Sequence, residues 1–161
     1  VAGFAYDAYV TRRASEAQLR GPILYPLFTL YCLKDFVPVL TRLSYDKEAS
    51  VDNQFYTINV GIGRYSGGGM RLVPHAEPHA DSFALTYAKK LPVYSVLLNS
   101  WRFYTGGIGQ VKQVTTTYAK QVVVRSLNEE LPIEVEADGE WLGNGPIRIS
   151  LLPRALKFLC P

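Results

Sequence analysis

Three short segments hold most of the side chains able to do chemistry. The first is Glu136-Ala137-Asp138-Gly139-Glu140-Trp141. Asp-Gly is a hairpin-turn pair, and this turn holds carboxylates on Asp138 and Glu140 ahead of a large aromatic. A carboxylate beside an apolar wall can have its pKa raised and act as a general base. The same residues also make an ordinary tight turn. The second segment, residues 74–83, places His75, Glu77, His79 and Asp81 within seven positions. Pro74 and Pro78 prevent a regular helix that would align the two imidazoles. No third nitrogen or sulfur ligand stands by, which disfavours a transition metal. Asp81 with carbonyls of its own loop is a partial shell for a hard cation such as Mg²⁺, or simply part of a solvated loop. The third segment, residues 59–70, carries Arg64 and the triplet Gly67-Gly68-Gly69. Such backbone can present N–H groups to an anion, with Arg64 adding a charged fork. A tight bulged turn between strands would use the same glycines.

The elements that must position these segments are mostly strands. Residues 1–10 are apolar and aromatic and read as a strand or strand end, followed by a polar stretch over 11–20. Gly21-Pro22 opens a segment whose apolar positions Ile23, Leu27, Leu30, Tyr31 and Leu33 fit a helical face. Pro26 falls in its first turn, where a helix tolerates it. From Val39 the pattern becomes period two, with Val39, Thr41, Leu43 and Tyr45 on one face. Residues 46–53 read as a turn, 54–62 and 83–87 as strands, and 95–103 as a helix ended by Gly106-Gly107. Strand-like runs follow at 111–118, 120–127, 131–137, 147–152 and 156–160. About eight short strands with two helices predict a mainly β fold, an antiparallel β-sandwich with a few helices, as one domain over residues 1–161.

Composition agrees with a packed domain. Hydrophobic residues are 48% and charged residues 19% of the 161, which excludes a disordered chain. The net charge of +3 does not mark nucleic-acid binding. Cys32 and Cys160 have no metal spacing and make no disulfide framework, so they read as free thiols in a reducing cytosol. No apolar run reaches the ~20 residues needed to span a bilayer. The chain opens at Val1, without an initiator Met, directly on an apolar strand-like run, which reads as a cut rather than natural start.

Taken in order, the segments carry more than each does alone. G-R-Y-S-G-G-G-M-R-L-V-P, then P-H-A-D-S-F-A-L, then A-D-G-E, then L-L-P-R-A-L-K-F-L-C-P resemble the second half of the lipid kinases that include bacterial diacylglycerol kinases, sphingosine kinases and ceramide kinase. The opening V-A-G-F-A-Y-D-A is similar to the strand by which that family enters this domain. The chain departs from the family at Ile62, where Asn is frequent, and at Ala5 and Ser82, where Gly is frequent.

The resemblance implies an antiparallel β-sandwich related to that of NAD kinases, the carboxy-terminal half of a two-domain kinase. The amino-terminal half, with a Gly-Gly-Asp-Gly-Thr nucleotide loop absent from these residues, is the expected partner, and ATP and lipid meet between the two. The resemblance implies Glu140 as base toward the lipid hydroxyl, with Asp138 orienting it. It implies Mg²⁺ on Asp81 with the carbonyls of Pro78 and Phe83, and a substrate and nucleotide cleft bordered by Arg64, Gly67, Gly68 and Gly69. The expected activity is ATP-dependent phosphorylation of diacylglycerol or a related lipid, by a cytoplasmic protein with peripheral contact at the inner membrane face. The half on its own is expected to be inactive, with an exposed apolar interface that favours a homodimer. The alternatives are a non-catalytic lipid-binding or assembly sandwich and a NAD-kinase-like enzyme.

Overall fold

The computed structural model describes residues 1–18, 24–46, 49–66, 69–153 and 155. The chain begins with β1 (Ala2–Ala5), buried at Phe4 and Ala5, and leaves the sheet at once into α1 (Tyr6–Glu16). The strand-then-polar-stretch expectation for residues 1–20 is therefore corrected: the strand ends at Ala5 and a helix follows. Tyr6, Val10 and Ala14 recur every four residues and are buried, while Arg12, Arg13 and Glu16 lie outward, a helical spacing hidden by the aromatic start. The break is made at Ala5, whose φ of +62° lies in the region that glycine prefers. Non-glycine residues held there cost on the order of 1–3 kcal/mol. Ala5→Gly should thus raise stability by about 1 kcal/mol; a lower denaturation midpoint would show that the conformation is not strained.

α2 (Leu24–Cys32) follows, then β2 (Leu40–Tyr45) and the long β3 (Ala49–Gly61). The turn expected at 46–53 is shorter than that, because β3 already pairs with β2 from Tyr45↔Ala49 to Leu40↔Gln54. Its first half presents polar side chains outward, and Arg42 grips Asp52 across the hairpin at 2.6 Å, which disguised the strand as a loop. The remaining strands are β4 (Phe83–Lys89), β5 (Val114–Ala119), β6 (Gln121–Ser126), β7 (Glu134–Ala137), β8 (Glu140–Asn144) and β9 (Ile147–Ser150). Between β4 and β5 come α3 (Val93–Asn99), α4 (Arg102–Thr105) and a 3-10 turn, so the helix expected at 95–103 is two pieces, ended as expected at Gly106 in a left-handed conformation. The strand expected at 156–160, with Cys160, lies outside the described residues, as does the Gly21-Pro22 helix start.

The nine strands of the described residues join in one antiparallel, curled sheet in the order β8-β7-β1-β3-β2-β6-β9, with β4 on β3 and β5 on β4. β3 is long enough to serve both halves. The two halves close on a core of Phe4, Ile58, Val60, Leu85 and Val135 from one side and Leu43, Val122 and Val124 from the other. The expectation of a mainly β, antiparallel sandwich with few helices is met. A second core, with Tyr6, Val10, Leu33, Tyr56, Val96, Ile108 and Val114, sits where the helices cover the opposite face of β1, β3 and β4. Among the described residues no helix is long and apolar enough to cross a membrane.

Candidate functional site

On the helix-covered face, register places five polar or small residues in a single row across the sheet. Glu136 pairs with Gly3, Gly3 with Asn59, Asn59 with Thr86, and Thr86 with Thr116. Alternate residues of these strands face the sandwich core instead, so across β7, β1, β3 and β4 the row is the second face of a sheet buried on both sides, while Thr116 at its β5 end is exposed. Asn59, Thr86 and Glu136 are each no more than 3% exposed. Gly3 must lack a side chain: an added Cβ would lie 2.5 Å from Glu136 Oε1 and 3.0 Å from Asp7 Cβ.

Asp7, from the first turn of α1, bends over this row. It accepts hydrogen bonds from the Thr57 hydroxyl and from Asn59 Nδ2, the latter at 3.1 Å. Burial pushes its carboxyl up to about 6, although the two hydrogen bonds pull the other way. Burial likewise pushes Glu136 up to about 7; the Gly139 N–H it accepts at 2.9 Å opposes this, and the charge of Asp7 adds to it. Desolvation raises the phenols of Tyr6, Tyr56 and Tyr25 as well.

Above the row lies a cavity of about 220 Å³. Its walls are apolar, from Leu30 within α2 and Leu33 just after it, Leu91 and Val96 around α3, Phe103, Ile108 and Val114. Its floor is polar: Asp7, Thr57, Asn59 and Thr86 all reach it. A bulge in β3 between Phe55 and Thr57 turns both Tyr56 and Thr57 toward this face. Asn59 Oδ1, Thr86 Oγ1 and the Tyr56 hydroxyl are buried without a partner. Buried polar groups are normally satisfied, so an apolar chamber ending in unpartnered oxygens is shaped for a mainly apolar ligand with hydroxyl or ester groups at one end.

The row ends at the turn that carries Glu140. β7 reaches Ala137, Asp138 and Gly139 turn with φ of +50° and +87°, and β8 begins at Glu140. Two positive φ values are those of the type I′ hairpin that Asp-Gly favours. The turn is held from below by Glu136 on the Gly139 N–H, and from the side by Asp138, whose N–H donates to the Val1 carbonyl at 3.0 Å. Asp138 Oδ1 lies 2.6 Å from the Val1 nitrogen. Glu140 itself is exposed, at a groove shared with Thr11, Arg12, Ser15 and Trp141. The carboxylate in low-polarity surroundings is Glu136, two residues before the turn.

The other expected site residues gather at the same sheet end. Ala137, Ala2, Val60 and Leu85 are successive register partners across β7, β1, β3 and β4. The turn at 138–139 and the loops that follow β3 and precede β4 therefore leave the same end of the sheet, with β1 and β3 between β7 and β4. Asp81, Pro78 and His79 are exposed, and Phe83 opens β4. Among the described residues no group of three or more His, Cys, Asp or Glu side chains stands together. His75 instead holds the fold together: its Nε2 donates to the Thr117 carbonyl at 2.9 Å, and the Tyr118 hydroxyl donates to the His75 carbonyl. Arg64 Nε donates to the Ala76 carbonyl at 3.0 Å, tying the two loops together. Ser66 and Met70 close the glycine loop with paired backbone bonds, and Gly69 takes φ +83°. Gly67 and Gly68 lie outside the described residues.

Comparison with known proteins gives a consistent set of relatives. Residues 1–160 match the family described as the YegS C-terminal NAD kinase beta sandwich-like domain. The chain is 26% identical to the "Putative lipid kinase YtlR" of Bacillus subtilis over 97% of its length and 52% of that protein's. It is 30% identical to the "Diacylglycerol kinase" of Mycobacterium tuberculosis over 100% of its length and 51% of that protein's. The chain thus spans about half the length of the curated relatives it matches. In fold it is similar to the crystal structure of a "putative diacylglycerol kinase" from Bacillus anthracis, with a TM-score of 0.61 at 18% identity, over 92% of this chain and 49% of that one.

Proposed function

The chain belongs to the family of the YegS C-terminal NAD kinase beta sandwich-like domain, the C-terminal domain of diacylglycerol-kinase-like and lipid-kinase-like proteins, and from that premise we propose that it is the lipid-binding and base-bearing half of an ATP-dependent kinase acting on the hydroxyl of diacylglycerol or a related lipid. The observation that carries this reading is the cavity: an apolar chamber floored in part by Asn59 and Thr86, whose row of strand partners continues outside the chamber through Gly3 and Glu136 to the strand before the Glu140 turn. The walls match part of an acyl chain in polarity. Its ester end fits the Tyr56 and Thr86 hydroxyls, which stand buried without a partner, and the hydroxyl to be phosphorylated reaches beyond the chamber to Glu140.

In this reading the lipid oxygen attacks the γ-phosphorus of ATP, its proton passes to the Glu140 carboxylate, and ADP leaves. Phosphoryl transfer depends on positioning and on charge neutralisation more than on covalent help, so the fixed turn matters: Glu136 and the Asp138 backbone hold Glu140 at one height. Asp138 orients the turn. Arg64 and Gly69 border the cleft toward the nucleotide, which a separate nucleotide-binding domain would hold. The Asp81 loop offers one carboxylate, backbone carbonyls and access to water, a donor set suited to a hard cation and not to zinc. Asp81 with the carbonyls of Pro78 and Phe83 would hold Mg²⁺, whose charge steadies the loop.

The test is transfer of labelled phosphate from ATP to a panel of hydroxyl lipids in mixed micelles by the full-length protein. Transfer to one lipid class is expected, with a chain-length preference set by the cavity. Retention of lipid without any transfer would assign the domain to non-catalytic lipid binding; phosphorylation of NAD instead would move it to the dinucleotide branch.

A further inference from the structure

Glu140 and the apolar chamber do not share a wall. The groove at Glu140 is formed with Thr11, Arg12, Ser15, Glu16, Gly139 and Trp141, and none of these residues lines the chamber. α1 serves both from different turns: Tyr6 and Asp7 at its start reach the chamber, and its later turns reach the groove. In diacylglycerol the free hydroxyl stands on the carbon next to an ester-bearing one. A lipid whose ester end rests on the Tyr56 and Thr86 hydroxyls therefore needs a longer polar headgroup to bring a hydroxyl to Glu140.

The groove says what that headgroup is. Its volume of about 460 Å³ is of ligand size. Thr11 and Ser15, and Arg12 and Glu16, are four residues apart, so one face of α1 makes one wall. The other wall is β8. Trp141 is the register partner of Glu136, which puts it on the α1 side of the sheet, at the end of the row through Gly3 and Glu136, and it is 42% exposed. Arg12 is fixed in place, with Nε donating to Glu134 Oε2 and Nη1 to Glu16 Oε1, both at 3.0 Å. A guanidinium only donates hydrogen bonds, an ionised carboxylate only accepts them, and the Ser15 hydroxyl does both. An anionic headgroup would meet the carboxylates of Glu16 and Glu140, an ammonium would meet Arg12, and an apolar group would leave all of them without a partner. A neutral group with several hydroxyls satisfies donors and acceptors together. The indole adds a flat apolar face, which suits the C–H face of a ring.

We propose that this groove is a headgroup subsite for a neutral cyclic polyol, of the sugar-ring class, carried on the lipid whose acyl chain enters the chamber. The proposal deepens the lipid-kinase reading and rests on it for the reaction. A ring hydroxyl attacks the γ-phosphorus of ATP, its proton passes to the Glu140 carboxylate, and ADP leaves. The ring lies against Trp141, with its other hydroxyls on Ser15, Arg12 and Glu16.

The test gives the full-length protein two lipids with the same acyl chains, monoglucosyl diacylglycerol and diacylglycerol, in mixed micelles with labelled ATP. The glucosyl lipid should have the higher kcat/KM, by about tenfold. Trp141→Ala should lower that preference by about fivefold to tenfold, through KM for the glucosyl lipid, and Trp141→Phe should restore most of it, since an aromatic contact is worth roughly that factor. Equal or greater transfer to diacylglycerol, or a preference that Trp141→Ala leaves as it was, overturns the subsite while the kinase reading stands. If neither lipid is phosphorylated, the kinase reading fails for both acceptors and the subsite is decided by binding alone. Octyl glucoside below its micelle concentration should then change the indole fluorescence of wild type, and Trp141→Phe should lose that response. An identical response from wild type and Trp141→Phe, or none from either, overturns the subsite.

Discussion

Glu140→Gln in the full-length protein should reduce phosphate transfer to lipid by roughly 10²–10⁴-fold, the range for removing a positioned general base. The loss should fall on kcat, with KM for lipid and ATP changed little. The reasoning is geometric. Glu140 opens β8, directly after a turn whose backbone is fixed by Glu136 and Val1, and it is exposed at a groove where a second domain's substrate can arrive. Gln keeps the shape and removes only the acceptor of the proton. Because the side chain is exposed, the fold should not weaken, and an unchanged denaturation midpoint would certify the comparison. A variant with kcat within threefold of wild type would remove Glu140 from the chemistry. A rise in KM with kcat preserved would make it a binding residue.

The hairpin that carries Glu140 was readable because Asp-Gly demands a particular backbone, and the chain obeys: Asp138 and Gly139 both take positive φ. The glycine-rich segment was readable for the same reason at Gly69. Of the strands from Phe83 onward, β5, β6, β7 and β9 fall within β-branched runs, whereas β8, with the sequence Glu-Trp-Leu-Gly-Asn, has no β-branched residue and was missed. What escaped was everything that depends on a second layer. Thr57 and Asn59 alternate with Ile58 and Val60, and alternation alone says that one face is polar, which is the signature of a solvent face. The helices make that face interior instead, and no local pattern announces it. Asp7 was hidden twice, once by being read into a strand and once because its partners Thr57 and Asn59 are fifty residues away in the chain. Glu136 looked like an outward residue of a half-exposed strand; it is buried because β1 lies beside it with glycine at the contact. The one local hint was that Gly3 sits inside a strand, where glycine often marks a close approach.

Asp7 and Glu136 together should make the protein less stable as pH rises through the mildly acidic range. Both carboxyls are lifted by burial, to about 6 and about 7, above the ordinary carboxylate range near 4. A carboxyl with a raised folded pKa holds its proton more tightly when folded than when unfolded. Folding is then favoured at low pH, weakens between the unfolded and folded values, and is independent of that group above them. The window here runs from about pH 4 to about pH 7. Each group would cost on the order of 2–3 kcal/mol at neutral pH, and because each repels the other the two costs overlap. Glu136 faces Asp7 and Asp138, and the Gly139 N–H is its donor. Glu136→Gln keeps an oxygen for that N–H, offers an amide toward Asp7, and removes the repulsion. The variant should match wild type near pH 4, exceed it by about 2 kcal/mol at pH 8, and lose the upper part of the pH slope in urea titrations. Asp7→Asn should remove the lower part. Activity gives the opposite sign if the buried charge serves a purpose: a stable Glu136→Gln with an altered pH profile of kcat would mean that the domain keeps a destabilising carboxylate because it tunes the turn beneath Glu140. Stability that climbs with pH across the window, or slopes that neither substitution alters, would show that these two carboxyls are ionised in the folded protein at all working pH values.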